Sequence, residues 1–345
     1  MANIRDVAKL AGVSIGTVSR AFNGYSDISA DTKQRIFDAA EQLHYTPNII
    51  GRSLSSKVSP VIGMIVSGLL SSNENDHMLF SLEKGIYRYT LDNNLEVAIY
   101  ATDSDHQRSK SYAQFCRERS LSGAVLSGIT MDDAYLHDLI SSNIPCVTID
   151  VPIAGKRTGC VTIDDFAAEA EMTEYLFDQN HRKLFVIAGK KNTAVTANRL
   201  AGIQQVCGVH GVSLPRERVA YCDFDENLAY EQTKRHLQTA EPGVTAFVCM
   251  SDLMAIGTMR AITELGYKVP EDFSVTGFDN IPLASYVQPS LTTVSQNIME
   301  KGYSAARLLR QIALDEPYER ELIIPHKLCV RASVRRLCAC LLTHK

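Results

Sequence analysis

Between Gly12 and Gly16 the chain reads Gly-Val-Ser-Ile-Gly, the G-x-S-x-G spacing that sets a serine nucleophile on a hydrolase strand-to-helix turn. That chemistry needs a strand before the serine, a partner histidine and an acid. Here both flanks are helical in pattern, so the hydrolase reading falls. Cys338-Ala-Cys340 offers two thiols, half of a soft-metal site, with no Cys-x-x-Cys or histidine-rich partner to complete it. No Walker A loop, H-E-x-x-H helix or G-x-G-x-x-G strand-helix junction occurs. The expectation is a protein without catalytic residues, metal or cofactor. The same N-terminal stretch suits a different task. Ala8 to Arg20 places two short helices around a glycine corner, the layout of a helix-turn-helix. At 100° per residue, Val18, Ala21 and Phe22 share one side of the second helix. Gly16, Ser19, Arg20 and Asn23 share the other, with Ile15 at the N-terminal edge. One face packs while the opposite face is free to enter a major groove.

The elements that must carry this face are legible nearby. Asn3 precedes Ile4-Arg-Asp6 as an N-cap with an acid at the third helical position, opening a helix through about Ala11. Gly12-Val13 makes the corner, Ser14 caps Ile15–Asn23, and Ser29 caps a third helix in which Ile36, Ala40 and Leu43 recur. Pro47-Asn48 breaks it. A short amphipathic piece, residues 49–55, leads into a polar linker ending at Pro60. From Val61 the texture changes to short apolar runs at 61–66, 97–100, 123–126, 145–149, 184–188, 219–221, 246–250 and 274–278. Helical patterns alternate with them, as at 79–91, 166–177, 228–237 and 253–265. Such alternation means parallel sheets covered by helices, and the strand number suits two doubly wound units.

Length and charge fit this division. A chain of 345 residues with 45% hydrophobic and 21% charged residues is long enough for two or three domains. Formal charge is −4, yet residues 1–57 carry +2 and the rest −6, so the one neutral-to-basic end is the helical head. Nine cysteines, odd in number and irregularly spaced, read as reduced thiols. The N-terminal Met-Ala-Asn-Ile-Arg-Asp has charges where a signal peptide needs its apolar stretch. No apolar run approaches the roughly 18 residues of a membrane span. A cytoplasmic protein with no membrane contact is expected.

Ile4-Arg-Asp-Val-Ala8, Ala11-Gly-Val-Ser14, Thr17-Val-Ser-Arg20, Leu43-His-Tyr-Thr-Pro-Asn48 and Arg52-Ser-Leu54 resemble the head and hinge of the lactose-repressor/galactose-repressor family. The resemblance continues through Arg199-Leu-Ala-Gly202, Ser251-Asp-Leu-Met-Ala-Ile-Gly257, Gly277-Phe-Asp-Asn280, Leu291-Thr-Thr293 and Arg331-Ala-Ser333. It implies an α/β protein: a helix-turn-helix head at 1–46, a hinge and linker at 47–60, a periplasmic-binding-protein-like core at 61–336 and a tail at 337–345. Within that core the implied subdomains are about 61–162 plus 293–323 and 163–292 plus 324–336.

The function it implies is a homodimeric transcriptional repressor on a pseudo-palindromic operator in double-stranded DNA, relieved or assisted by a small sugar-like effector. Ile15, Gly16 and Arg20 would read bases, with Leu54 wedged into the minor groove. Ser14, Thr17, Ser19, Asn23, Tyr45 and Asn48 would contact phosphates. Gly51 departs from the usual hinge alanine, at a cost of about 0.5–1 kcal/mol of helix stability. Arg199 and Asp279 match the polar anchors of the family's effector pocket, and Phe224 matches an aromatic against the ligand's apolar face. Ser127, Ser251 and Asp150 fall at the same cleft. Many relatives carry Asn-Pro-Phe-Phe where this chain has Asp76-His-Met-Leu79, and the loss of those aromatics leans away from a purine sandwich towards a polyol, with Asp76 accepting hydroxyls. The short tail after Arg336 holds little more than one heptad, which favours a dimer over a tetramer.

Overall fold

A computed structural model of the chain describes residues 2–22, 25, 27–45, 61–67, 76–129, 133, 135–239 and 243–338, with backbone alone at 76–77 and 104–106. The expected hinge with Gly51 and Leu54 lies outside these residues, as do Asn23, Asn48, the side chain of Asp76 and all of the tail beyond Cys338. The chain divides into two units, 1–61 and 62–345.

Among the described residues the first unit has three helices, α1 (Ile4–Ala11), α2 (Ile15–Phe22) and α3 (Ala30–Gln42). Asn3 caps α1 through a reciprocal box. Its Oδ1 accepts from the backbone N–H groups of Arg5 and Asp6, while its own N–H donates to Asp6 Oδ2 at 2.9 Å. Gly12 ends α1 at φ +67°, a left-handed position that glycine takes without a Cβ penalty. Ser14 Oγ accepts from Thr17 N–H at 3.1 Å and Ser29 Oγ from Thr32 N–H at 3.3 Å, so both expected serine caps are formed. Val7, Ala8, Ala11, Val18, Ala21, Ile36, Ala39 and Ala40 make the small core, with Phe22 set edge-on to Phe37 and Tyr45. The G-x-S-x-G segment joins α1 to α2 with no strand before it.

The second unit is built on two six-stranded sheets. The first joins β1 (Val61–Ser67), β2 (Glu96–Thr102), β3 (Ala124–Ser127), β4 (Cys146–Ile149), β5 (Thr158–Thr162) and β11 (Glu321–Ile323) in the order β2-β1-β3-β4-β5-β11. The second joins β6 (Leu184–Ala188), β7 (Val219–Tyr221), β8 (Ala246–Cys249), β9 (Ser274–Asp279), β10 (Thr292–Ser295) and β12 (Lys327–Cys329) in the order β7-β6-β8-β9-β10-β12. The order is the same twice. β1–β3, β3–β4, β4–β5 and β5–β11 run parallel, as do β6–β7, β6–β8, β8–β9 and β9–β10, whereas β12 is antiparallel to β10. The central strands are buried on both faces, which explains their unbroken apolar runs.

The chain passes between the sheets three times. The second passage falls after Ser295, later than the expected division at 293, because Thr292, Thr293 and Val294 are fully buried and continue the second sheet beside β9. Glycine sets one helix contact. The helix Asp76–Asp92 lies against Ile298–Ala313 so closely that a Cβ on Gly85 would strike the Met299 carbonyl, and one on Gly302 the Leu82 carbonyl. The eight described cysteines are free thiols, and no helix among the described residues is long and apolar enough to cross a membrane.

Candidate functional site

A cleft of about 450 Å³ opens where the carboxyl ends of strands from both sheets converge. Val66 and Ser67 reach it from β1, Ser127 from β3, Ile149 from the end of β4 and Asp150 from just beyond it, Asp279 from β9 and Gln296 from just beyond β10. Doubly wound sheets gather ligands at this end because strand termini and helix starts meet there and leave backbone and side chains free to point at one space. Six of the seven residues expected at the effector site line it: Arg199, Asp279, Phe224, Ser127, Ser251 and Asp150. For the seventh, Asp76, only the helical backbone is described.

Three of the six hold left-handed backbone: Asp150 at φ +62°, Phe224 at φ +63° and Asp279 at φ +112°. Non-glycine residues hold such angles at a cost, which surrounding contacts must over-determine. Arg199, 4% exposed, donates from Nε to Asp165 Oδ1 at 2.8 Å and from Nη1 to the Met250 carbonyl at 2.5 Å. Its guanidinium carbon stands 3.5 Å from the centre of the Phe278 ring. Asp279 Oδ1 accepts from Gln296 Nε2 at 2.5 Å. Burial raises the Asp279 carboxyl to about 6, although Arg199 pulls it down. Asp150 Oδ1 accepts from Thr162 Oγ1 at 3.0 Å and Lys301 Nζ at 2.7 Å. Phe224 packs over Gly189, where a Cβ would occupy the ring's place. Ser251 does two things: it lines the cleft, and its Oγ caps the helix Asp252–Glu264 by accepting from Met254 N–H.

Spacing alone passed over four polar residues here. Lys301, 1% exposed, donates to Asp150 and, at 2.6 Å, to Gln296 Oε1, so Gln296 is held by its carbonyl on one side and its amide N–H on the other. Asp165 pairs with Arg199 from the first turn of its helix. Glu169 lies one turn further along, fully buried, with Oε2 bonded to nothing among the described residues. Burial pushes its carboxyl to about 8 against the pull of Arg199, so it is neutral at pH 7. A signal existed for two of them. Glu169 falls on the buried stripe Asp165, Ala168, Met172, Leu176, and Lys301 on the stripe it forms with Ala305, Leu308 and Ile312. A charge on an otherwise apolar stripe marks a group that something must neutralise.

In the head, Ile15 is 45% exposed, and a Cβ added at the exposed Gly16 would meet only Ser14 Oγ, at 3.6 Å. Nothing in the head itself therefore demands glycine there. Ser14 Oγ and Thr17 Oγ1 lie 2.8 Å apart at the start of α2, and Ser19 is half-buried. Arg20 bonds Asp27 and lies over the Tyr25 ring, 5.5 Å from its centre. Tyr45 is half-buried against Phe22.

Comparison with known proteins agrees with this architecture. Residues 3–48 match "Bacterial regulatory proteins, lacI family", and residues 173–334 match "Periplasmic binding protein-like domain". The HTH-type transcriptional repressor PurR of Mannheimia succiniciproducens is 30% identical over 98% of this chain and 100% of its own length. The probable HTH-type transcriptional repressor ExuR of Bacillus subtilis is also 30% identical, over 98% of this chain and 99% of its own. Among solved structures, the lac repressor dimer bound to operator and the anti-inducer ONPF superposes with a TM-score of 0.83 at 25% identity, covering 97% of this chain and 99% of that one. The CelR–cellobiose complex gives 0.71 at 25% identity, covering 96% and 100%. The chain belongs to the lacI family of bacterial regulatory proteins and is a DNA-binding transcriptional repressor with an effector-binding core.

Proposed function

We propose that the protein is a cytoplasmic homodimer that represses carbohydrate-use genes and changes its operator affinity when a small sugar enters the cleft. One arrangement carries the reading. Arg199 leaves Nη2, and Asp279 and Asp150 each leave Oδ2, without a partner among the described residues, and all three side chains border the cleft that Phe224 lines. A donor and two acceptors around an aromatic face match a sugar ring, which has hydroxyls on its rim and C–H groups on its flat side. Ser127 and Ser251 add short hydroxyls, and Asp76 at the start of its helix would add a further acceptor. The solved relative holding cellobiose supports the same ligand class.

On DNA, Ile15, Gly16 and Arg20 would read base edges and Leu54 the minor groove. Ser14, Thr17, Ser19, Asn23, Tyr45 and Asn48 would fix the head on phosphates. Two dyad-related heads read a pseudo-palindrome, and the family hinge lies between head and cleft in the sequence. Effector then acts as a population shift, which requires unequal affinity for the open and closed forms of the core.

Selection of bound duplexes from a randomised pool tests the first half. A pseudo-palindromic consensus is expected, with log affinity falling linearly in log salt. Adding a panel of mono- and disaccharides to the selected complex tests the second. Release by a sugar identifies an inducer and tightening a corepressor. Indifference to every sugar, combined with a response to a nitrogenous base, would refute the carbohydrate reading.

A further inference from the structure

Each cation at the cleft is already held by a carboxylate of the protein itself. Arg199 is bonded through Nε to Asp165, 2.8 Å away, and both side chains are at least 95% buried. Lys301 is bonded to Asp150 at 2.7 Å, with the ammonium side chain 1% exposed. Asp279 is a third carboxylate, bonded to the Gln296 amide rather than to a cation. Two more acids lie close behind. Glu169 is kept neutral by burial, and Asp252, raised well above its ordinary range by burial and by Asp279, accepts from Thr293 and from the Ile281 N–H. Among the described residues that line the cleft, Arg199 and Lys301 are the cations, and each is paired with a carboxylate, so neither is left over for a ligand.

The consequence is a charge preference. A carboxylate or phosphoryl group only accepts hydrogen bonds and brings negative charge, so it would face the free oxygens of Asp150 and Asp279 with neither cation unpaired. A hydroxyl donates to those oxygens and accepts from Arg199 Nη2. Resting on the sugar reading of this cleft, we propose that Asp165 and Lys301 set its charge selectivity. Asp165 neutralises Arg199 and Lys301 neutralises Asp150, so the cleft takes uncharged polyols and rejects the acid and phosphorylated forms of the same sugars. Neither residue needs to touch the ligand. Both act by fixing what charge the contacting groups present.

The test uses the full-length protein and matched sets of probes: D-glucose, D-glucuronate and D-glucose 6-phosphate, and the corresponding D-galactose set. Calorimetry and operator release read each probe. In any set that binds, the uncharged member is expected to bind at least about tenfold tighter than its acid and phosphate relatives. Asp165→Asn is expected to shrink the ratio of neutral to acid affinity by about tenfold, chiefly by improving the acid. A merely structural Asp165 would weaken all members together. The wild-type ratio decides the matter even if Asp165→Asn fails to fold. An acid or phosphate form binding as tightly as the neutral sugar overturns the proposal. If no sugar binds at millimolar concentration, the carbohydrate reading itself fails. Inorganic phosphate then probes the charge argument separately: calorimetric binding that is lost in Arg199→Ala overturns it, and binding that survives this substitution, or none, upholds it.

Discussion

Glu169 is a neutral acid held inside the protein, and that state has a measurable cost. Its carboxyl titrates near 8 in the fold against 4.5 as its ordinary value. Between those values the folded state keeps a proton that the unfolded chain has released, so this group makes stability fall as pH rises. Glu169→Gln keeps the shape without the titration. Denaturant unfolding from pH 5 to 8.5 should show the difference between variant and wild type growing in the variant's favour as pH rises. A constant difference across that range would place the ionised form in the fold. In the head, Arg20 is engaged by Asp27 and Tyr25, and on the proposed reading it would have to leave both to reach a base. The exposed pair with Asp27 is worth about 0.2–1 kcal/mol, less than the about 1–3 kcal/mol of a good base contact, so the exchange favours DNA. Arg20→Ala should cost about 1–3 kcal/mol of operator binding and relax one symmetric base position. Asp27→Asn should tighten binding several-fold by removing both the competitor and a negative charge. Unchanged selectivity of Arg20→Ala in a randomised-site selection removes Arg20 from the reading set.

At the scale of elements, local chemistry is what the sequence makes legible. The Asn3–Asp6 capping box, the Gly12 corner and the Ser14 and Ser29 caps are set by neighbours within a turn and can be read directly. Strands β5, β10, β11 and β12 escape a pattern search because they are three to five residues long and, in β5 and β10, rich in threonine and serine. Their burial comes from partners distant in sequence, which hydropathy alone does not reveal. The contact of Asp76–Asp92 with Ile298–Ala313 is of the same kind, since its glycines meet across more than two hundred residues of chain. Gly302→Ala would gain about 1 kcal/mol in helix propensity but would drive a Cβ into the Leu82 carbonyl, which no side-chain movement relieves. Overpacking of about 1–3 kcal/mol or more should win, so net destabilisation is expected in chemical unfolding. A variant as stable as wild type would mean that the helices separate without penalty.

In the molecule as a whole, one strand order is used twice, and the chain returns to the first sheet and then back to the second before it ends. The return to the first sheet brings Gln296 and Lys301 to Asp150 from about a hundred and fifty residues away. Family resemblance located Arg199 and Asp279 by matching positions, and Asp150 followed from its place at a strand end. The residues that hold them, Asp165, Gln296 and Lys301, answer to this protein's own packing and became visible only with the fold. On the proposed function the head reads DNA with an affinity that answers to the cleft, and one titration tests that coupling. Operator binding is measured by fluorescence anisotropy against increasing concentrations of a sugar that the wild type recognises, for wild type and Asp279→Asn side by side. The substitution keeps the side chain's shape and removes the acceptor charge facing the ligand. Equal operator affinity without sugar, a concentration-dependent change in the wild type and no response in the variant are expected. Superimposable response curves, or loss of operator binding by Asp279→Asn before any sugar is added, would contradict the proposed function.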